Sequence, residues 1–114
     1  MNKIEKNREI ILAFLEKYST YIPVNVLDCE NEIIADLQRN HYQLIRIGWG
    51  KNDDFIHHTV FHFDIKSDGK VWIQANWTDI DVAQELVDRG LDKMDIVIGF
   101  QPPRHRQYTG YAVA

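Results

Sequence analysis

The chain has 114 residues, 45% hydrophobic and 11% aromatic, which suits one domain with one core and excludes a disordered or low-complexity protein. Thirteen basic residues against 17 acidic ones give a net charge of −4, which argues against a broad nucleic-acid surface, since phosphate affinity rests on a basic surplus. The one cysteine, Cys29, excludes an internal disulfide and suits a reducing compartment.

The opening "MNKIEKNREI" is too charged for a secretory signal. No apolar stretch approaches the roughly 20 residues needed to cross a bilayer, so a cytoplasmic protein without membrane attachment is expected. Residues 2–18 predict a helix: Ile4, Ile11, Phe14, Leu15 and Tyr18 recur at helical spacing, and Lys3, Lys6, Asn7, Glu9 and Glu16 fill the other face. Pro23 closes that region, and "VNVLDCE" (24–30) has strand character. Four further segments, 31–38, 41–49, 55–66 and 70–77, are rich in β-branched and aromatic residues and are broken by "RN", "GKNDD" and "SDG". Asp68-Gly69 predicts a two-residue hairpin turn, so 41–77 reads as a three-stranded antiparallel meander with 31–38 at its edge.

A second helix follows, with Thr78 and Asp81 as a capping pair, Ile80, Ala83, Leu86 and Val87 as its apolar stripe, and Gly90 as its end. "DIVIGF" (95–100) is a short buried strand or packed segment. The order predicts an α+β fold over residues 1–114: a single domain with an antiparallel sheet of about four to five strands and the two helices on one face.

Strand alternation places His58, Val60, His62 and Asp64 on one face of 55–66, and His57, Phe61, Phe63 and Ile65 on the other, which is the better core face. Two histidines and a carboxylate on one face raise the question of a metal. His58 and His62 lie about 13 Å apart at a strand's ~3.3 Å rise, too far to share an ion. His62 and Asp64 are about 6.6 Å apart by the same rise and need a third ligand from a neighbouring strand. With no cysteine pair, no HExxH, no nucleophile in context and no phosphate-binding glycine loop, neither a metal, a cofactor nor an enzyme is expected. Of Trp49, Trp72 and Trp77, one or two are assigned to the core and the remaining ring to a protein interface.

The chain closes on "VIGFQPPRHRQYTGYAVA" (97–114), where residues 101–114 hold Arg104 and Arg106 and no acid. Residues 1–100 therefore carry 11 basic and 17 acidic groups, a net −6. Two arginines on an acidic body suit a small anion contact, and Tyr108, Tyr111, Ala112 and Val113 suit packing. The tail is expected to be an ordered segment.

"HFDIKSDGKVWIQANWT" (62–78) resembles the H-x-D-I-K-x-x-G-K-[IV]-W-I-Q…T signature of the XisI family. "DKMDIVIGFQPPRHRQYTGYAVA" (92–114) is similar to that family's closing stretch, and "HYQLIRIGW" (41–49) to its strand ending in Gly-Trp. "ANWTD" (75–79) departs from the family's usual His-Asp-Gly-Thr-Glu type of turn. The family is named for a factor controlling excision of the fdxN element, a programmed site-specific DNA rearrangement in heterocyst-forming cyanobacteria. The resemblance implies an accessory protein beside a separate recombinase, with an XisH-like partner, and it carries no catalytic residues. The expected contact surfaces are His58, His62 and Trp77 on the sheet and Arg104, Arg106, Tyr108 and Tyr111 in the tail, with self-association a further expectation. The alternative is direct DNA binding through the basic aromatic tail.

Overall fold

The computed structural model describes residues 1–23 and 28–114. Its elements run α1 (Lys3–Tyr18), β1 (Asp28–Asp36), β2 (His41–Trp49), β3 (Phe55–Ile65), β4 (Val71–Asn76), α2 (Val82–Asp88) and β5 (Ile96–Ile98). One five-stranded sheet in the order β1-β2-β3-β4-β5 carries both helices, which confirms the α+β class. The first four strands form the predicted antiparallel meander. β5 instead returns through α2 and pairs parallel to β4, so the sheet is mixed rather than wholly antiparallel. Residues 24–27 of the expected strand 24–30 lie outside the described residues. Residues 28–30 run straight into 31–36 as one strand.

α1 starts where Asn2 accepts a hydrogen bond from the Glu5 amide at 2.8 Å, as an N-cap should. It buries Ile11, Phe14, Leu15 and Tyr18 against Tyr42, Leu44, Phe61, Phe63 and Ile73. Asn7 belongs to the buried stripe and not to the polar face. Its amide donates to the Gly69 carbonyl at 2.8 Å, which ties the helix to the β3–β4 turn. That turn has three residues rather than two, Ser67 to Gly69, because only Gly69 (φ +88°) adopts the left-handed conformation. At the other end of the sheet, a Cβ on Gly48 would lie 2.1 Å from the Asp28 carbonyl oxygen, so glycine is what lets β1 reach β2 there.

α2 is capped by Asp81 alone, whose carboxylate accepts from the Gln84 amide at 3.2 Å. Thr78 forms a separate turn with Asn76, four residues before the helix begins. Gly90 ends it as predicted: the Leu91 amide reaches Leu86 O and the Gly90 amide reaches Val87 O, closing a Schellman motif. The helices meet where the Tyr18 hydroxyl donates to the Glu85 carboxylate, with Lys17 3.4 Å from the same group.

Burial and the Glu85 contact raise the Tyr18 hydroxyl above its usual value of 10.0, against the opposing pull of Lys17. A group whose folded pKa is raised contributes stability that is complete below the unfolded pKa and lost as pH rises through the folded one. We expect the urea midpoint to fall above about pH 10, and Tyr18→Phe to flatten that fall relative to wild type. An unchanged alkaline slope in the variant would remove Tyr18 as its source.

β1 is an edge strand. Asp28, Glu30, Glu32 and Asp36 share the face turned away from the helices, since their β2 partners are Trp49, Ile47, Ile45 and His41. The opposite edge is finished by the C-terminus: beyond a 3-10 turn over Pro103–Tyr108, the Ala112 amide donates to Ile96 O at 2.9 Å beside β5. No helix among the described residues is long and apolar enough to cross a membrane.

Candidate functional site

The face opposite the helices is set by β2, whose Tyr42 and Leu44 are buried under α1 and whose His41, Gln43, Ile45, Ile47 and Trp49 therefore point outward. Register assigns the partners on β3. Leu44 pairs with Phe61 but Ile45 pairs with Thr59, which leaves Val60 as the extra residue of a β-bulge. One inserted residue reverses the alternation.

His58 consequently pairs with Arg46 on the helix side, whereas His62 pairs with Gln43 on the outer side. The two histidines that simple alternation put together lie on opposite faces. Burial, Arg46 and His57 together lower the His58 pKa below its usual value. Val60 leaves the histidine face too and is buried in the core beside Phe61.

Downstream of the bulge a compact polar cluster forms. Asp64 pairs directly with His41 across β2–β3, and its Oδ1 lies 2.7 Å from His41 Nδ1 and 2.9 Å from His62 Nε2. Oδ2 accepts from Gln74 Nε2 at 3.1 Å. Gln74 reaches it because a second bulge interrupts the β3–β4 pairing between His62 and Phe63. Burial pushes the Asp64 carboxyl up, but the bonds from His41, His62 and Gln74 and the charge interaction with His62 outweigh it and hold the carboxyl below its usual value. A buried carboxylate, 8% exposed, is thus kept ionised by three donors.

Sequence spacing identified His62 and Asp64 but not His41, which a neighbouring strand contributes. It also overstated their separation, because the 6.6 Å rise bounds backbone positions while the side chains lean together. The turn-bounded run starting at His41 was the only available signal for its register.

Next to this cluster lies Trp72, paired with Asp64 on the same face. The Arg106 guanidinium sits 4.9 Å from its ring centroid and Lys66 Nζ 5.6 Å from it. Arg106 also donates to Gln101 O at 3.1 Å and Gly99 O at 3.4 Å, so this arginine is turned inward to hold the tail on the sheet. Arg104 is exposed.

The tail is ordered as expected, but its aromatics divide: Tyr111 packs against the core and Ala112 is buried, whereas Tyr108 is 80% exposed and Val113 is also exposed. None of the three tryptophans is buried. Trp77 is 77% exposed, and Trp49 packs at a tilt against exposed Phe55, 5.0 Å between ring centroids, on the outer face. That second aromatic pair was not singled out from the sequence. Its signal was the placement of two large rings at opposite ends of one hairpin loop.

The family model described as XisI protein matches residues 1–113. A crystal structure of a XisI-like protein from Anabaena variabilis ATCC 29413 is similar at 42% identity and a TM-score of 0.85, covering 99% of this chain and 100% of that one. The crystal structure of the fdxN element excision controlling factor XisI from the same organism is similar at 28% identity and a TM-score of 0.79, with the same coverage. Among curated proteins nothing matches.

Proposed function

We propose, from the premise that the chain belongs to the XisI family, that it is a non-catalytic accessory protein of the excision-controlling type, working through an XisH-like partner. The observation that carries this reading is the full-length similarity to a protein described as the fdxN element excision controlling factor. The molecular surface supports a partner-binding role. Trp77, Tyr108 and the Trp49–Phe55 pair expose large rings that a monomer has no folding reason to leave in water, and such rings are enriched at protein interfaces. His62 is partly exposed on the outer face of the sheet and Arg104 is exposed in the tail, and His58 offers a contact on the helix side.

Direct DNA binding through the tail is less well supported. Arg106 is engaged with backbone carbonyls and Trp72, which leaves Arg104 and His105 as the exposed basic side chains of a segment on an acidic body. DNA is then reached through the partner. The test is copurification with a purified XisH-like protein. We expect a stable complex, weakened about tenfold by Trp77→Ala or Tyr108→Ala with unchanged melting, since both rings are exposed. A chain that stays alone in that mixture overturns the proposal, as does a steep salt-dependent shift of a DNA duplex by the chain without any partner.

A further inference from the structure

We infer that His41, His62 and Asp64 form a binding site for one divalent transition-metal ion of the zinc class. The two imidazoles and the carboxylate offer ligand atoms that all lie within 4.8 Å of one another. They come from adjacent antiparallel strands, with His41 directly opposite Asp64 and His62 two residues before it on the same strand. A rigid sheet therefore holds the backbone of all three ligands, and only side-chain torsions must adjust to admit an ion.

The size of that adjustment is small. Ligand atoms around tetrahedral zinc stand about 3.3 Å apart, given metal–ligand bonds of ~2.0–2.1 Å. Here the two His–Asp separations, 2.7 and 2.9 Å, must widen by about half an ångström, and the two histidines must close on each other. The nitrogens that point at Asp64 are His41 Nδ1 and His62 Nε2. On binding, the proton that each ring donates to Asp64 leaves that nitrogen, the rings take the tautomer protonated at His41 Nε2 and His62 Nδ1, and each presents a neutral lone pair to the metal.

Two features distinguish this cluster from an ordinary surface ion pair. The carboxylate is already oriented, because Gln74 Nε2 donates to Oδ2 from the second bulge, the kind of outer contact that fixes a metal-binding carboxylate. The site is also open on one side: the Asp64 side chain is 11% exposed and that of His41 53%, so a water or a partner's side chain can complete the coordination. Two imidazoles with one carboxylate select zinc and its first-row neighbours over magnesium or calcium, which take oxygen ligands.

The test uses the full chain purified without a histidine tag and stripped with chelator, titrated with zinc chloride by calorimetry and with Co²⁺ by visible absorption. We expect saturable binding of one ion per chain, with the Co²⁺ bands of a low-symmetry N/O site. His41→Ala, at an exposed position, should abolish the bands while the melting curve shows the chain still folded. Gln74→Ala should weaken binding about tenfold through the unfixed carboxylate. His58→Ala, on the opposite face, should leave it unchanged. No saturable binding, or binding that survives His41→Ala, overturns the inference and leaves the cluster as a hydrogen-bonded network of the sheet alone. Binding lost equally in His58→Ala overturns it as well.

Discussion

Deleting residues 104–114 is expected to lower the melting temperature by roughly 10–15 °C. β5 has only three residues, Ile96 to Ile98, with β4 on one side and the C-terminal Ala112 on the other. The truncation removes the Ala112 to Ile96 hydrogen bond, the packing of Tyr111 and the Arg106 contacts to Gln101, Gly99 and Trp72. It also uncovers Val97, which is now fully buried. Exposing about 100 Å² of apolar surface costs roughly 2.5 kcal/mol at about 25 cal/mol per Å². The lost hydrogen bonds add about 1 kcal/mol, and a domain of this size loses roughly 4 °C per kcal/mol. Thermal melts of the two forms by circular dichroism decide it. A truncated chain that melts with the full one would mean the tail rests on the sheet without bracing it.

Phe14→Ala should be the most destabilising single change, at about 3–5 kcal/mol. The Phe14 ring is fully buried and meets Tyr18 at 4.8 Å, Phe61 at 5.0 Å and Phe63 at 5.5 Å between centroids, two of them edge-on. It is the contact that fixes α1 over β3. Phe14→Leu keeps most of the volume and should cost less than about 1.5 kcal/mol. Urea unfolding of both variants checks the pair. A cost under about 1 kcal/mol for alanine would show that the neighbouring rings collapse into the space.

Much of the scaffold was legible because its signals are local. β2, β3 and β4 begin and end within one residue of the segments that turn residues delimit, and α1 follows its apolar stripe. What escaped was set by single residues acting at a distance. The extra Val60 turns His58 away from His62, and composition does not mark a bulge. Asn7 looked like a surface residue because its partner, the Gly69 carbonyl, lies 62 positions away. The Asp64 cluster was half visible: strand parity found His62 and Asp64, while His41 required the register between two strands. The resemblance to the XisI signature held for the family, and its polar positions His62, Asp64 and Gln74 prove to be one hydrogen-bonded unit.

The acidic edge has a consequence for how copies of this chain can associate. Two sheets that join edge to edge at β1 would bring Asp28, Glu30, Glu32 and Asp36 of each copy alongside their own counterparts, with no basic residue in the strand to separate them. Like charges facing across a strand pair are destabilising, so this edge resists its own image. The opposite edge is closed by the C-terminal segment. Growth of the sheet into a filament is therefore blocked at both margins, at one by repulsion and at the other by occupancy. Assembly between copies of this chain is thereby directed to its faces.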